Sequence, residues 1–198
     1  MGLAGIPWWT TDIGGFHGGD PKDPKFQELL VRWFEYGTFC PVMRLHGYRW
    51  PLQPQYGTTG GATCVSGAPN EVWSYTDQVC EILSDYLRLR ERMLPYITEL
   101  MEEAHEKGTP VMRPLFYDFP EDKESWNVET EYMFGPKVLV KPITDADARE
   151  TDVYLPGGAS WTNAWTGETF EGGQKVHVAA PIEQIPLFTR DGYKLPMK

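Results

Sequence analysis

One carboxylate in this chain keeps unusual company. The run Trp8-Trp9-Thr10-Thr11-Asp12-Ile13-Gly14-Gly15-Phe16 sets Asp12 directly after a short apolar stretch, with two indoles before it and a phenyl ring behind it. Gly14 and Gly15 let the backbone turn sharply there. In a parallel α/β sheet or barrel, the edge just past the C-terminal end of an apolar strand is where ligands bind. Asp is also a common turn residue, so a turn-capping role for Asp12 stands beside the binding one. A second run, Cys40-Pro41-Val42-Met43-Arg44-Leu45-His46-Gly47, follows the same logic. Arg44 and His46 lie two apart, so on an extended segment they point the same way. His17, His105 and His177 read as structural imidazoles. His46 is set apart by Arg44 and by the aromatic-rich loop that follows it.

The elements that must hold these residues are legible in the pattern. Leu3 to Thr11 is short and apolar and predicts a buried strand, weakened by Pro7. Asp23-Pro24 is a helix start, a capping carboxylate followed by proline at the first helical position. Phe26, Leu29, Leu30, Trp33 and Phe34 then fall on one helical face, with Gly37 as the stop. Thr38 to Met43 predicts a second short strand. Arg44 to Tyr75 is long, irregular and rich in Gly and Pro. Its aromatics Tyr48, Trp50, Tyr56, Trp73 and Tyr75 argue against simple disorder and for a functional loop. Thr76 to Lys107 is strongly helical, with Pro95 predicting a kink or two consecutive helices. Gly108 follows as a helix-ending residue. Beyond it come β-like runs at Val111–Tyr117, Lys137–Ile143, Thr151–Leu155, Ser160–Ala164, Lys175–Ala179 and Ile185–Arg190, separated by Gly-rich turns. That half predicts a small antiparallel β-sandwich with Val138, Val140, Val153 and Leu155 in its core.

Bulk composition narrows the partners. A formal net charge of −10 over 198 residues argues against nucleic acid and against an anionic membrane surface. Aromatics make up 14% of the chain, with 8 Trp, which suits both core packing and stacking on the apolar faces of sugars. Three cysteines, Cys40, Cys64 and Cys80, show no zinc-type spacing and read as free thiols of a reducing compartment, the cytoplasm. The N-terminal MGLAGIPWW lacks the basic and apolar regions of a signal peptide. No metal or cofactor is implied.

Taken in order, the motifs resemble glycoside hydrolase family 31. The resemblance rests on WWTTDIGGF, Arg32 to Gly37, Phe39 to Gly47, Arg88-Leu89-Arg90 with Leu94-Pro95-Tyr96, and Val111 to Leu115. Tyr132 to Pro136, Val153 to Pro156, Trp165-Thr166-Gly167 and Ile185 to Phe188 complete it. It implies the C-terminal part of a (β/α)8 TIM barrel, residues 1–108, followed by an antiparallel β-sandwich, residues 109–198. It implies that Asp12 hydrogen-bonds hydroxyls of the sugar in the −1 subsite and that His46 binds the same sugar. Phe16 and Trp9 would line the pocket, and Arg44 would accompany them. The substrate would be a terminal, non-reducing α-linked glucose or xylose in an oligosaccharide or glycoside. The family also contains transglycosylases and lyases.

The family is retaining and needs a nucleophile and an acid/base carboxylate. The segments that carry them in the family, WxDMNE-like or KxDxxE-like and WxGD-like, do not occur here. Asp12 therefore stays a binding carboxylate, and no catalytic residue is assigned. The chain reads as a fragment, about two βα units of a barrel that needs about 250 residues, and is expected to be inactive alone. The alternative reading is a non-catalytic carbohydrate-binding protein.

Overall fold

A computed structural model describes residues 1–53 and 66–197. Tyr56 and Cys64 lie outside the described residues. Helix α1 spans Pro24–Thr38, capped by the Asp23 carboxylate, which accepts from the Lys25 N–H. A short hairpin follows, β1 (Arg49–Gln53) paired antiparallel with β2 (Ser66–Ala68). Helices α2 (Asp77–Arg92) and α3 (Leu94–Lys107) are consecutive, with Met93 between them and Pro95 in the first turn of α3. Thr76 caps α2 through its hydroxyl, and Gly108, in the left-handed region, ends α3.

The C-terminal half is antiparallel throughout. Strands β3 (Met112–Arg113), β4 (Tyr132–Phe134), β5 (Val138–Val140), β7 (Ser160–Asn163), β8 (Thr169–Glu171) and β10 (Leu187–Arg190) form one sheet in the order β3-β4-β5-β10-β7-β8. Strands β6 (Glu150–Leu155) and β9 (Gln174–Ala179) form a separate two-stranded sheet. A single-turn helix, α4 (Leu115–Asp118), follows β3.

Strand alternation explains how the layers stack. Phe134, Val138, Val140 and Leu187 share a buried cluster with Leu30, Phe34, Leu83, Tyr86 and Ile97 of the helices. Met133, Leu139, Trp161 and Phe188 share a second cluster with Val153, Leu155, Val176 and Val178 of β6 and β9. The six-stranded sheet is therefore covered on both faces, by helices on one side and by the small sheet on the other. That is why Val138, Leu139 and Val140 are all fully buried, where a half-exposed strand would alternate. The predicted sandwich core is thus divided. Val153 and Leu155 belong to it, whereas Val138 and Val140 face the helices.

Several elements differ from the sequence expectation. Leu3 to Thr11 forms no strand, only a 3-10 turn at Gly2–Ala4 and extended chain. Among the described residues, it and the Asp12–Ile13 pair that follows meet the backbone of the second segment only through Val42 N–H to Trp9 O at 3.1 Å, Ile13 N–H to Arg44 O at 3.4 Å, and a parallel bridge between Ile13 and Leu45. Pro7 and Pro41 remove donors that a ladder between the two segments would need. Thr38 to Met43 is likewise not a strand, since α1 runs on to Thr38. Gly37 does not stop α1. It lies inside the helix against Ile13, where an added Cβ would meet Ile13 Cδ1 at 2.5 Å. The run 111–117 breaks at Pro114, which ends β3 and starts α4.

Candidate sugar-binding site

Two loops carry the candidate residues, 12–19 after the first extended segment and 44–50 after the second. They are bound to each other by Tyr48 N–H to Phe16 O at 3.2 Å and Trp50 N–H to Gly19 O at 2.9 Å. Gly47 has φ 113°, and a Cβ there would sit 2.6 Å from Gly15 O and 2.7 Å from Phe16 O. Only glycine lets the loops approach this closely. Beneath them, Arg90 of α2 donates to the carbonyls of Thr38, Cys40 and Pro41 at 2.7, 2.6 and 2.8 Å. This fastens the entry to the second segment, and gives the Arg88-Leu89-Arg90 motif a role.

Asp12, Arg44, His46 and Phe16 come together. Arg44 Nη2 donates to Asp12 Oδ1 at 2.5 Å, and His46 Nδ1 lies 3.2 Å from the same oxygen. The Phe16 ring is tilted against His46 with centroids 5.1 Å apart. Arg44, His46 and Phe16 are all exposed, so the group opens to solvent. The Arg44 hydrogen bond, followed by the charges of Arg44 and His46, holds the Asp12 carboxyl below its ordinary value despite some desolvation. An ionised carboxylate is acceptor-only. The Asp12 carboxylate can accept from hydroxyls and offers no proton of its own.

Trp9 does not join them. Its side chain makes no ring contact or hydrogen bond with this group among the described residues. It lines a separate groove of about 930 Å³ with Leu3, Leu29, Trp33, Phe116 and Trp126. Leu29, half exposed, and Trp33 belong to the predicted helical stripe, yet they face this groove.

The chain matches the family description "Glycosyl hydrolases family 31 TIM-barrel domain" over residues 1–100 and "Glycosyl hydrolase family 31 C-terminal domain" over residues 108–195. It belongs to glycoside hydrolase family 31.

Among the family 31 proteins it resembles is an alpha-xylosidase of Saccharolobus solfataricus, 38% identical over 98% of this chain and 24% of that protein. Another is alpha-glucosidase 2 of Bacillus thermoamyloliquefaciens, 35% identical over 97% of this chain and 22% of that one. The structure of a family 31 alpha-xylosidase from a soil metagenome, complexed with xylose, superposes with a TM-score of 0.93. It is 51% identical over 98% of this chain and 29% of that chain. A Flavobacterium johnsoniae family 31 dextranase, complexed with isomaltotriose, gives a TM-score of 0.80 at 32% identity, over 97% of this chain and 22% of that one. The chain thus spans about a quarter of the length of these relatives.

Two participants, His17 and Arg49, were missed by sequence reasoning. His17 is exposed and sits between Phe16 and Tyr48, with centroid distances of 4.3 and 5.1 Å. The rings of His46, Phe16, His17 and Tyr48 thus run on from Asp12 as one array. Arg49 is fully buried and binds both loops. An arginine in such a segment looks the same in sequence whether it is solvated or buried. No local signal separated it from its neighbours.

Proposed function

We propose that this chain is the sugar-gripping part of a retaining family 31 α-glycosidase that hydrolyses a terminal, non-reducing α-linked xylose or glucose. Residues 1–108 supply the last two βα units of the barrel, and 109–198 the C-terminal sandwich. Asp12 accepts hydrogen bonds from hydroxyls of the sugar in the −1 subsite, and His46 adds another. Phe16 stacks on the sugar's apolar face, and Arg44 keeps Asp12 charged and oriented. Trp9 lines the separate groove and takes no part in the grip. The nucleophile and acid/base come from parts of the enzyme outside this sequence. The convergence of Asp12, Arg44, His46 and Phe16 on one solvent-open group carries the reading. The xylosidase and glucosidase names of the relatives support the substrate class.

A charge-assisted hydrogen bond is worth about 1.5–3 kcal/mol. If it strengthens as the transition state forms, its loss lowers kcat as well as raising KM. The test grafts residues 1–198 in place of the aligned segment of the soil-metagenome xylosidase. Asp12→Ala in that enzyme is expected to lower kcat/KM on aryl α-xyloside about tenfold to a few hundredfold, at roughly 1.36 kcal/mol per decade, with little change in Tm. The 198-residue chain alone is expected to give no turnover. Unchanged kinetics with a lowered Tm would leave Asp12 as a turn residue and refute the binding role.

A further inference from the structure

Arg49 is among the largest fully buried side chains of the protein, and no carboxylate pairs with it among the described residues. Its charge is met by oxygen dipoles instead. Nη1 donates to the carbonyls of Gly15, Gly18 and Tyr48 at 2.9, 3.0 and 3.1 Å. Nη2 donates to Ile13 O at 3.1 Å, and Nε to Asn70 Oδ1 at 3.0 Å. Asn70 in turn donates to Gly47 O at 3.3 Å and accepts from the Tyr75 hydroxyl at 2.7 Å. The guanidinium also lies over the Phe26 ring of α1, 5.2 Å from its centroid.

The acceptors are arranged in a telling way. Ile13, Gly15 and Gly18 span the loop that carries Asp12 and Phe16. Tyr48 and the Asn70–Gly47 link belong to the segment that carries Arg44 and His46. One planar fork therefore ties the two halves of the site, and it approaches Asp12 from below through the carbonyl of the next residue. Gly14 makes room for it. With φ +80°, a Cβ at that position would sit 2.7 Å from Arg49 Nη2 and 2.8 Å from Leu30 Cδ1. The double glycine after Asp12 thus serves the arginine as well as the turn.

We propose that Arg49 is a positioning residue for sugar recognition: it sets the spacing between Asp12 and the Arg44–His46 pair, and holds the Phe16–His17–Tyr48 rings in line. The proposal rests on the sugar-site reading of Asp12. It acts through these residues and touches no substrate itself. Lysine cannot replace it. An ammonium is a point charge with three donors on a flexible stem, and it lacks the planar fork that reaches both loops at once.

The test uses the 198-residue chain, with Arg49→Met and Arg49→Lys. Site-resolved hydrogen exchange is measured at the loop amides of Gly15, Tyr48 and Trp50, and at those of β6 and β9 for comparison. Binding of xylose is titrated in parallel. A positioning role predicts exchange at the three loop amides faster by about tenfold or more in both variants, with β6 and β9 unchanged. It also predicts xylose binding weakened by about tenfold. Arg49→Lys decides the matter if Arg49→Met fails to fold. Wild-type exchange in Arg49→Lys, or acceleration spread evenly through β6 and β9, would overturn the proposal. Selective loosening in a wild-type background that binds no xylose would instead keep the clamp and refute the sugar site.

Discussion

At the scale of single residues, the proposed grip requires Asp12 to be a charged acceptor at neutral pH. Its partner Arg44 does most to keep it so, through a hydrogen bond and then through charge. The sign follows from linkage. A carboxyl whose folded pKa lies below its unfolded one contributes its stabilisation fully above the unfolded value, 3.8, and loses it as pH falls through the lower folded value. Carbonyl-carbon NMR of Asp12 across an acid titration should therefore give a midpoint below 3.8, and Arg44→Met should move it up towards 3.8. A midpoint at or above 3.8 in the native chain would show that Arg44 does not hold the carboxylate. The family resemblance grouped Asp12, Arg44, His46 and Phe16, and with them Trp9, which lies in the separate groove instead. Distinctive spacing marked Asp12 and, separately, the Arg44–His46 pair after apolar stretches, and the resemblance joined the two. Arg49 was not legible for the opposite reason. What gives it a role is the convergence of carbonyls from residues 13, 15, 18 and 48, and backbone acceptors have no signature in sequence.

At the scale of elements, helices were read well and extended segments poorly. The caps Asp23, Thr76 and Gly108 act locally, and α1, α2 and α3 begin or end where they stand. Strands need backbone donors as well as apolar side chains, and prolines interrupt both the segment before Asp12 and the one beside it, so its apolar pattern alone could not make it a ladder. Strand β4 was seen only as a motif, because three residues carry too little alternation to be recognised. The motif Arg32 to Gly37 turns out to join elements. Arg32 of α1 is buried and donates to Glu35 at 3.1 Å. It also reaches the carbonyls of Ala148, Ala180, Pro181 and Gln184 at 3.1, 2.6, 3.1 and 3.3 Å. The Tyr86 hydroxyl of α2 lies within hydrogen-bond reach of both Glu35 Oε1, at 3.2 Å, and Glu183 O, at 3.1 Å, closing the network. Arg32→Met leaves buried carbonyls without their donor, at about 1–3 kcal/mol each. Glu35, whose carboxyl is pushed up to about 8 by burial, avoids an uncompensated charge by binding a proton. The substitution is expected to destabilise by at least the order of one such carbonyl in urea unfolding, with α1 separating from the C-terminal sheet first. A loss under about 1 kcal/mol would mean that Arg32 is not the tie between them.

At the scale of the whole molecule, the six-stranded sheet is the platform on which both halves rest. One face packs on the helices that carry the site loops and the other on the β6–β9 sheet. The loops bearing Asp12 and His46 are thereby fixed from three directions, by Arg90 below, by Arg49 within, and by the packing of α1 on Ile13. Such a frame can present a preformed sugar grip even where the chemistry is supplied elsewhere, and that is the central claim. It is tested most directly by titrating the isotope-labelled 198-residue chain with xylose and with glucose, following every amide and histidine ring signal, in the native sequence and in Asp12→Ala. The account predicts saturable shifts confined to Asp12, Phe16, His17, Arg44, His46 and their neighbours, and their disappearance in Asp12→Ala while the rest of the spectrum is retained. Shifts centred on the Trp9–Trp33–Trp126 groove, or shifts that persist unchanged in Asp12→Ala, would contradict it.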